Sequence, residues 1–286
     1  MAESLDPRLT PARPDLAAKH LEGRVNAARF VEGELYAVSD ALAPMRRAPS
    51  PDAPLETQAL KGERVTVYDR SDNGWAWGQL ASDGYVGWLP EAALTQTLIR
   101  PTHRVIALRT FAFPGPSIKL PPAEHLPLGA RIEIVEQDDT FAVTGQQHYL
   151  PRRHVAPLET HEPDFVAVAE RFVGTPYLWG GKSSFGIDCS GLVQVALDAA
   201  GITAPRDSDM QERALGLNVP PSQWQALRRG DLMFWKGHVA IVRDTDSIVH
   251  ANAHHMATAI EPLAAAIARI AAAGSEITGV KRLVTM

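Results

Sequence analysis

The chain has 286 residues, 45% of them hydrophobic and 21% charged, a balance that excludes wholesale disorder. Twenty-eight Lys and Arg against 33 Asp and Glu give a formal charge of −5, so there is no global basic field to hold nucleic acid or an anionic membrane. The single cysteine, Cys189, excludes an internal disulfide and any multi-cysteine zinc or iron–sulfur site.

Residues 1–29 are polar and acidic, are interrupted by Pro7, Pro11 and Pro14, and read as an N-terminal extension. They lack the basic stretch and the apolar run of about 7–15 residues that make a secretory signal. No window reaches the ~18 apolar residues needed to span a bilayer, so the expected compartment is the cytoplasm, with no membrane partner. Residues 30–96 read as short strands between turns, in FVEGELYAVSDAL, LKGERVTVYD, WAWGQL and YVGWLP, with tight turns at SDNG and SDG. The run APSPDAP at 48–54 is a surface loop. Residues 97–158 repeat this texture in TLIRPTHRVIALRTFAF, ARIEIVEQ and TFAVTGQQHYLP, with prolines at 114, 116, 121, 122 and 127 marking loops or edges. Short strands closely spaced by turns predict two small β-barrels, and Trp75, Trp77 and Trp88 read as core or wall of the first.

From about residue 160 the pattern mixes helices and strands. PDFVAVAERFVG predicts a helix that starts at Pro163 and Asp164 and stops at Gly174. A loop rich in Gly and aromatics, TPYLWGGKSSFGI, leads into DCSGLVQVALDAAG, a buried helix. GDLMFWKGHVAIV and SIVHANA read as adjacent strands, 262–274 as a surface or half-buried helix, and EITGVKRLVTM as a final strand. This is an α+β domain spanning 160–286.

Cys189 falls in the first turn of the helix that opens Asp188-Cys189-Ser190. Unpaired N–H groups and the helix dipole favour an anion there, which would depress the thiol pKa. A small buried cysteine is the alternative. A nucleophilic thiol needs a base and the base an orienting group. His238 heads a strand in FWKGHVAIV, and His250 in SIVHANA lies close enough in sequence for a strand–turn–strand to bring the two imidazoles together. His254 and His255 add imidazoles, but no HExxH or carboxylate set stands at ligand spacing, so no metal and no organic cofactor are expected.

GTPYLWGGKSSFGIDCSGLVQVALDAAG, followed by PRDSDMQ, GDLMFWKGHVAIV and IVHANA, resembles the NlpC/P60 cysteine peptidases. The resemblance covers residues 160–286 and rests on Tyr177, Trp179, Gly180, Gly181, Asp188, Cys189, Ser190, Gly191, Gly230, Asp231, His238 and His250. Residues 30–158 resemble, more weakly, the bacterial SH3 domains that precede the catalytic domain in one branch of that family; WAWGQLASDGYVGWLP carries the match. The resemblance implies an α+β fold with a papain-like NlpC/P60 catalytic domain preceded by two small SH3-like β-barrels, at 30–96 and 97–158.

It also implies chemistry. Cys189 would be the nucleophile, His238 the general base and His250 the third polar residue, with the Cys189 backbone N–H as one oxyanion donor. The substrate implied is a murein peptide, L-Ala-γ-D-Glu-diamino acid, cut after γ-D-Glu in cytoplasmic recycling by a γ-D-glutamyl-L-diamino-acid endopeptidase. Tyr177, Asp188, Ser190, Asp207 and Ser208 would line the substrate site. Tyr85 and Glu56 of the first SH3-like domain would hold the free L-Ala ammonium. No obligatory protein partner is implied. Two other readings are an autolysin that uses the SH3 pair to anchor on intact wall, and a catalytically inactive peptide-binding scaffold.

Overall fold

The computed structural model describes residues 5–97 and 100–283. Leu98 and Ile99, and the last three residues of the final strand read from the sequence, lie outside the described residues. The chain divides into two compact units, Met1–Leu158 and Glu159–Met286.

The first unit is built on one antiparallel sheet of seven strands in the order Leu55–Leu60, Leu42–Arg46, Val86–Pro90, Trp75–Leu80, Arg64–Ser71, Glu34–Val38, Leu94–Thr95. Alternation selects its inner face: Val65 and Val67 are buried and Thr66 between them is not. Val38, Ala43, Met45, Leu80 and Leu89 complete the same apolar cluster. Residues 5–29, expected as an extension, belong to this unit. Leu16, Ala17 and Ala18 are fully buried, and Ala17–Ala18 pairs in parallel with Phe30–Val31. Its prolines keep this stretch from forming an α-helix, and it is built of turns, the two-residue strand and a 3-10 turn at Lys19–Leu21. The Arg13 guanidinium stands 4.4 Å from the Trp77 ring centre and 5.1 Å from that of Trp88, and is bonded to Asp15 and Asp69. Cation–π contact and ion pairing thus fasten the segment over the tryptophans. Trp75 and Trp77 are buried and Trp88 is half-buried.

Residues 100–158 form three small sheets of three, two and three strands around a second cluster that includes Val105, Leu126, Ile132, Leu150 and Val155. Lys61 joins the two halves of the unit: its ammonium bonds Glu124 at 2.7 Å, and its carbonyl accepts from the Arg131 N–H.

Among the described residues the second unit has the α-helices α1 (Phe165–Glu170), α2 (Cys189–Ala199), α3 (Ser208–Ala214) and α4 (Leu263–Ala272). Its antiparallel sheet comprises β1 (Leu217–Asn218), β2 (Leu232–Trp235), β3 (His238–Val242), β4 (Ser247–Asn252), β5 (Ala257–Pro262) and β6 (Ile277–Arg282), in the order β1-β6-β2-β3-β4-β5. Helix α2 packs on β3 and β4, and α4 packs on β4 and β5. With both faces covered, the central strands bury nearly every residue, which is why LMFW and HVAIV are continuous apolar runs rather than alternating ones. Met233, Trp235, Ala240, Val242 and Ile248 form one cluster with Ala266 of α4. Helix α2 is apolar almost all round and buries every residue except Asp198, as a helix enclosed by its own domain must. Helix α1 is capped by Asp164, whose carboxylate accepts from the Val166 and Ala167 N–H groups, and it ends at Glu170, earlier than Gly174 suggested. No helix among the described residues is long and apolar enough to cross a membrane.

Leu192 is 1% exposed on α2, whereas Ile260 on β5 is 42% exposed. Leu192→Ala should therefore lower stability by about 2–5 kcal/mol in urea unfolding, and Ile260→Ala by less than about 1 kcal/mol. Equal effects would contradict the burial of α2.

Candidate active site

The thiol is positioned from beneath by a buried ion pair. Asp188 is the N-cap of α2, with extended backbone (φ −100°, ψ 178°), and its Oδ1 accepts the Gly191 N–H at 2.7 Å. Its Oδ2 accepts the Gly180 N–H at 2.8 Å, which ties the aromatic loop to the helix start. Arg206, only 1% exposed, donates to both oxygens at 2.9 and 2.6 Å. It donates also to Ser190 Oγ at 2.9 Å and to the Gly181 carbonyl at 3.3 Å. Gln211 of α3 donates to the Ser190 and Pro205 carbonyls, each at 2.9 Å. The loop lies so close to the helix that a Cβ on Gly191 would stand 2.3 Å from the Gly181 carbonyl oxygen, and one on Gly181 would stand 2.4 Å from that of Gly186. Only glycine fits at either place.

Beside the helix start, β3 begins with His238. The backbone N–H groups of Val239 and Ser190 act on the Cys189 sulfur, which brings the thiol to the first residues of β3. His238 Nε2 lies 3.0 Å from His250 Nδ1, and His250 Nε2 lies 3.1 Å from Glu261 Oε2. Glu261 in turn accepts from Arg269 Nε at 3.0 Å and Nη2 at 2.6 Å. Strand register explains the row. Ile248 pairs with Glu261 and His250 with Ala259, so His250 and Glu261 share a face of neighbouring strands, and α4 brings Arg269 onto that face.

Burial governs the electrostatics. It pushes the Cys189 thiol up to about 12, with the Asp188 charge adding to the effect, whereas the helix start had suggested a lowered pKa. The Val239 and Ser190 N–H groups and Arg206 act in the expected direction but are outweighed by desolvation. Burial likewise lowers His238 to about 3 and His250 to about 4. Each group is thus held neutral as a lone charge.

Tyr177 is half-buried, and burial followed by the charges of Cys189 and Asp188 raises its phenol above the usual value, placing it at the thiol. Asp188 and Ser190 are buried and serve the internal network. Both Asp188 oxygens are taken up by backbone N–H groups and Arg206, so the direct substrate contact expected of this carboxylate is replaced by a positioning role. Asp207 caps the position before α3 and Ser208 opens it, both half-buried. Tyr85 and Glu56 belong to the first unit. Tyr85 is 2% exposed within the seven-stranded core, and Glu56 is bonded to Arg47. His250, His255 and Glu261 bring ligand-type atoms within 4.8 Å of one another, yet Arg269 already occupies the Glu261 carboxylate as its cation. Arg206, Glu261 and Arg269 were not singled out from the sequence. The usable signal for Arg206 was a charged residue in PRDSD facing a motif carboxylate, and for Glu261 an alternate position on the strand after His250.

A thiol at a capped helix start and a histidine pair on the antiparallel sheet of the same unit are thus the chemistry-bearing groups of the site. The family model for NlpC/P60 matches residues 174–268, and that for the bacterial dipeptidyl-peptidase SH3 domain matches 45–94. The gamma-D-glutamyl-L-lysine dipeptidyl-peptidase of Bacillus cereus is 30% identical over 241 residues, covering 73% of this chain and 71% of its own. Dipeptidyl-peptidase 6 of Lysinibacillus sphaericus is 30% identical over 227 residues, covering 71% and 82%. The crystal structure of an NlpC/P60 family protein from Bacillus cereus shares the fold, with a TM-score of 0.74 and 23% identity over 88% of this chain and all of that one. The chain belongs to the NlpC/P60 family, with an SH3-like domain in its first unit.

Two stability outcomes follow from the site. Asp188→Ala leaves a buried guanidinium unpaired and should cost about 3–5 kcal/mol, while Asp188→Ala with Arg206→Met should recover a large part of it. Urea unfolding of the two variants measures this, and a double variant no better than the single one would contradict it. The histidines are lowered in the fold below the 6.5 of free imidazole, so the unfolded chain binds more protons between the two values. Their stabilisation is complete above about pH 6.5 and is lost as the pH falls toward 4. The urea midpoint of the second unit should drop over that window, with a shallower slope in His250→Asn; identical slopes would show that these histidines do not titrate differently on unfolding.

Proposed function

We propose that the chain is a cysteine endopeptidase that hydrolyses the bond between γ-D-Glu and the diamino acid in murein peptides with a free N-terminal L-Ala. The observation that supports the mechanism is that the one thiol, Cys189, stands at the capped start of α2 with the Val239 N–H of β3 acting on its sulfur, while His238 at the head of the same strand is paired with His250. The substrate class is supported by the names of the two peptidases at 30% identity. In this mechanism His238 takes the Cys189 proton as sulfur attacks the γ-carbonyl carbon, and an S–C bond forms. The oxyanion develops against the Cys189 backbone N–H, a first-turn donor that has no acceptor within its own helix. The C–N bond then breaks, His238 returns the proton to the leaving amine, and water hydrolyses the thioester with His238 again as base. In this mechanism the Tyr177 phenol donates to the same oxyanion.

The finer assignments are part of this proposal. Ser190, Asp207 and Ser208 line the peptide site, and Glu56 and Tyr85 take the L-Ala ammonium. Residues 97–158 are a second SH3-like module, and the setting is cytoplasmic peptide recycling rather than lysis of intact wall. Support for the SH3-type role is the match at 45–94 to a domain named for bacterial dipeptidyl-peptidases.

Hydrolysis of L-Ala-γ-D-Glu-diaminopimelate and L-Ala-γ-D-Glu-L-Lys, followed by chromatography of the products, tests the reading. Wild type should release the diamino acid, and Cys189→Ala should be slower by roughly 10³-fold or more. N-acetylation of the L-Ala should abolish cleavage. Equal turnover by the two proteins would remove Cys189 from the chemistry, and equal cleavage of blocked peptides would remove the ammonium requirement.

A further inference from the structure

Two arrangements of protons satisfy the contact between His238 Nε2 and His250 Nδ1. In the first, His238 donates from Nε2, and His250 accepts at Nδ1 and donates from Nε2 to Glu261. In the second, His250 donates from Nδ1 to His238, and its bare Nε2 faces the Glu261 carboxylate at 3.1 Å, two acceptors with no proton between them. The second arrangement needs Glu261 to be protonated. Arg269 opposes that, because its guanidinium makes two bonds to the same carboxylate and keeps it ionised. Glu261 is buried to 8% exposure and His250 to 0%, so bulk water does not offer an alternative partner.

We propose that Glu261, fixed by Arg269, is a positioning residue that sets the tautomers of both histidines: its carboxylate holds the proton of His250 on Nε2, which holds the proton of His238 on Nε2, and so keeps His238 Nδ1 bare for the Cys189 thiol. Proton parity passes along the row, so one acceptor at its end decides whether the base can accept. The carboxylate also faces, through His250, the positive charge that His238 acquires when the thiolate forms. Glu261 touches neither substrate nor sulfur; it acts through His250. This proposal rests on the reading of His238 as the base, but its principal readout does not need a substrate.

The test is long-range 15N–1H correlation of the histidine side chains in the full chain, with His238 and His250 assigned through single variants, alongside peptide kinetics. In wild type at neutral pH both rings should carry the proton on Nε2. In Glu261→Gln, Arg269 binds the amide oxygen and the amide N–H₂ is left to face His250. His250 should then shift to the Nδ1–H form and carry His238 with it. kcat should fall about 10²–10⁴-fold, with KM held within about threefold. An Nδ1–H tautomer of His250 in wild type overturns the proposal, even if the variant does not fold. Unchanged tautomers and unchanged kcat in a folded Glu261→Gln overturn it as well. If the tautomers are as expected but neither murein peptide is cut, the substrate assignment falls and the positioning role stands.

Discussion

A guanidinium with 1% exposure requires a carboxylate, and Arg206 has Asp188. Much of the site hangs on this buried pair. Desolvating two charges is costly, and the geometry offsets that cost only because every lone pair is used. Asp188 caps α2, anchors Gly180 and holds Arg206, while Arg206 reaches on to Ser190 and the Gly181 carbonyl. One carboxylate thereby fixes the loop, the helix start and the approach to α3, and Cys189 inherits its position from all three. The glycines at 181 and 191 follow from the same closeness, since any side chain there would meet backbone.

A second constraint is a hydrogen-bonded row that begins at the head of β3. His238, His250, Glu261 and Arg269 run from the head of β3 through β4 and β5 to α4, with contacts of 3.0, 3.1 and 2.6 Å. Burial keeps the thiol and the imidazoles neutral when they are considered singly. In the proposed mechanism, charge enters the site through proton transfer from thiol to imidazole rather than through a standing thiolate. The helix dipole, which the position of Cys189 suggested as the activating influence, acts within a site where desolvation is larger.

How much of this was legible in the sequence depends on the range of each interaction. Cys189, His238 and His250 stand in local motifs whose turns and strand starts are visible residue by residue. The helices at Cys189–Ala199 and Leu263–Ala272 and the strand pair around His238 and His250 have strong patterns of their own. Glu261 and Arg269 were hidden because their roles exist only after β4 and β5 are placed in register and α4 is laid across them; in the string AIEPLAAAIARI they look like ordinary surface charges. Arg206 looked like part of a turn. Residues 5–29 looked like a loose extension because their prolines exclude an α-helix, yet an irregular strap can be buried as well as a helix can, and Arg13 needs the tryptophans of another segment to show it.

The proposed chemistry stands or falls with the single thiol as nucleophile. The most direct measurement is stepwise alkylation with iodoacetamide, with the label on Cys189 and the rate of γ-D-glutamyl peptide hydrolysis read from the same samples. Activity should fall in proportion to label and reach zero at one equivalent. Full activity in protein completely labelled at Cys189 would contradict it.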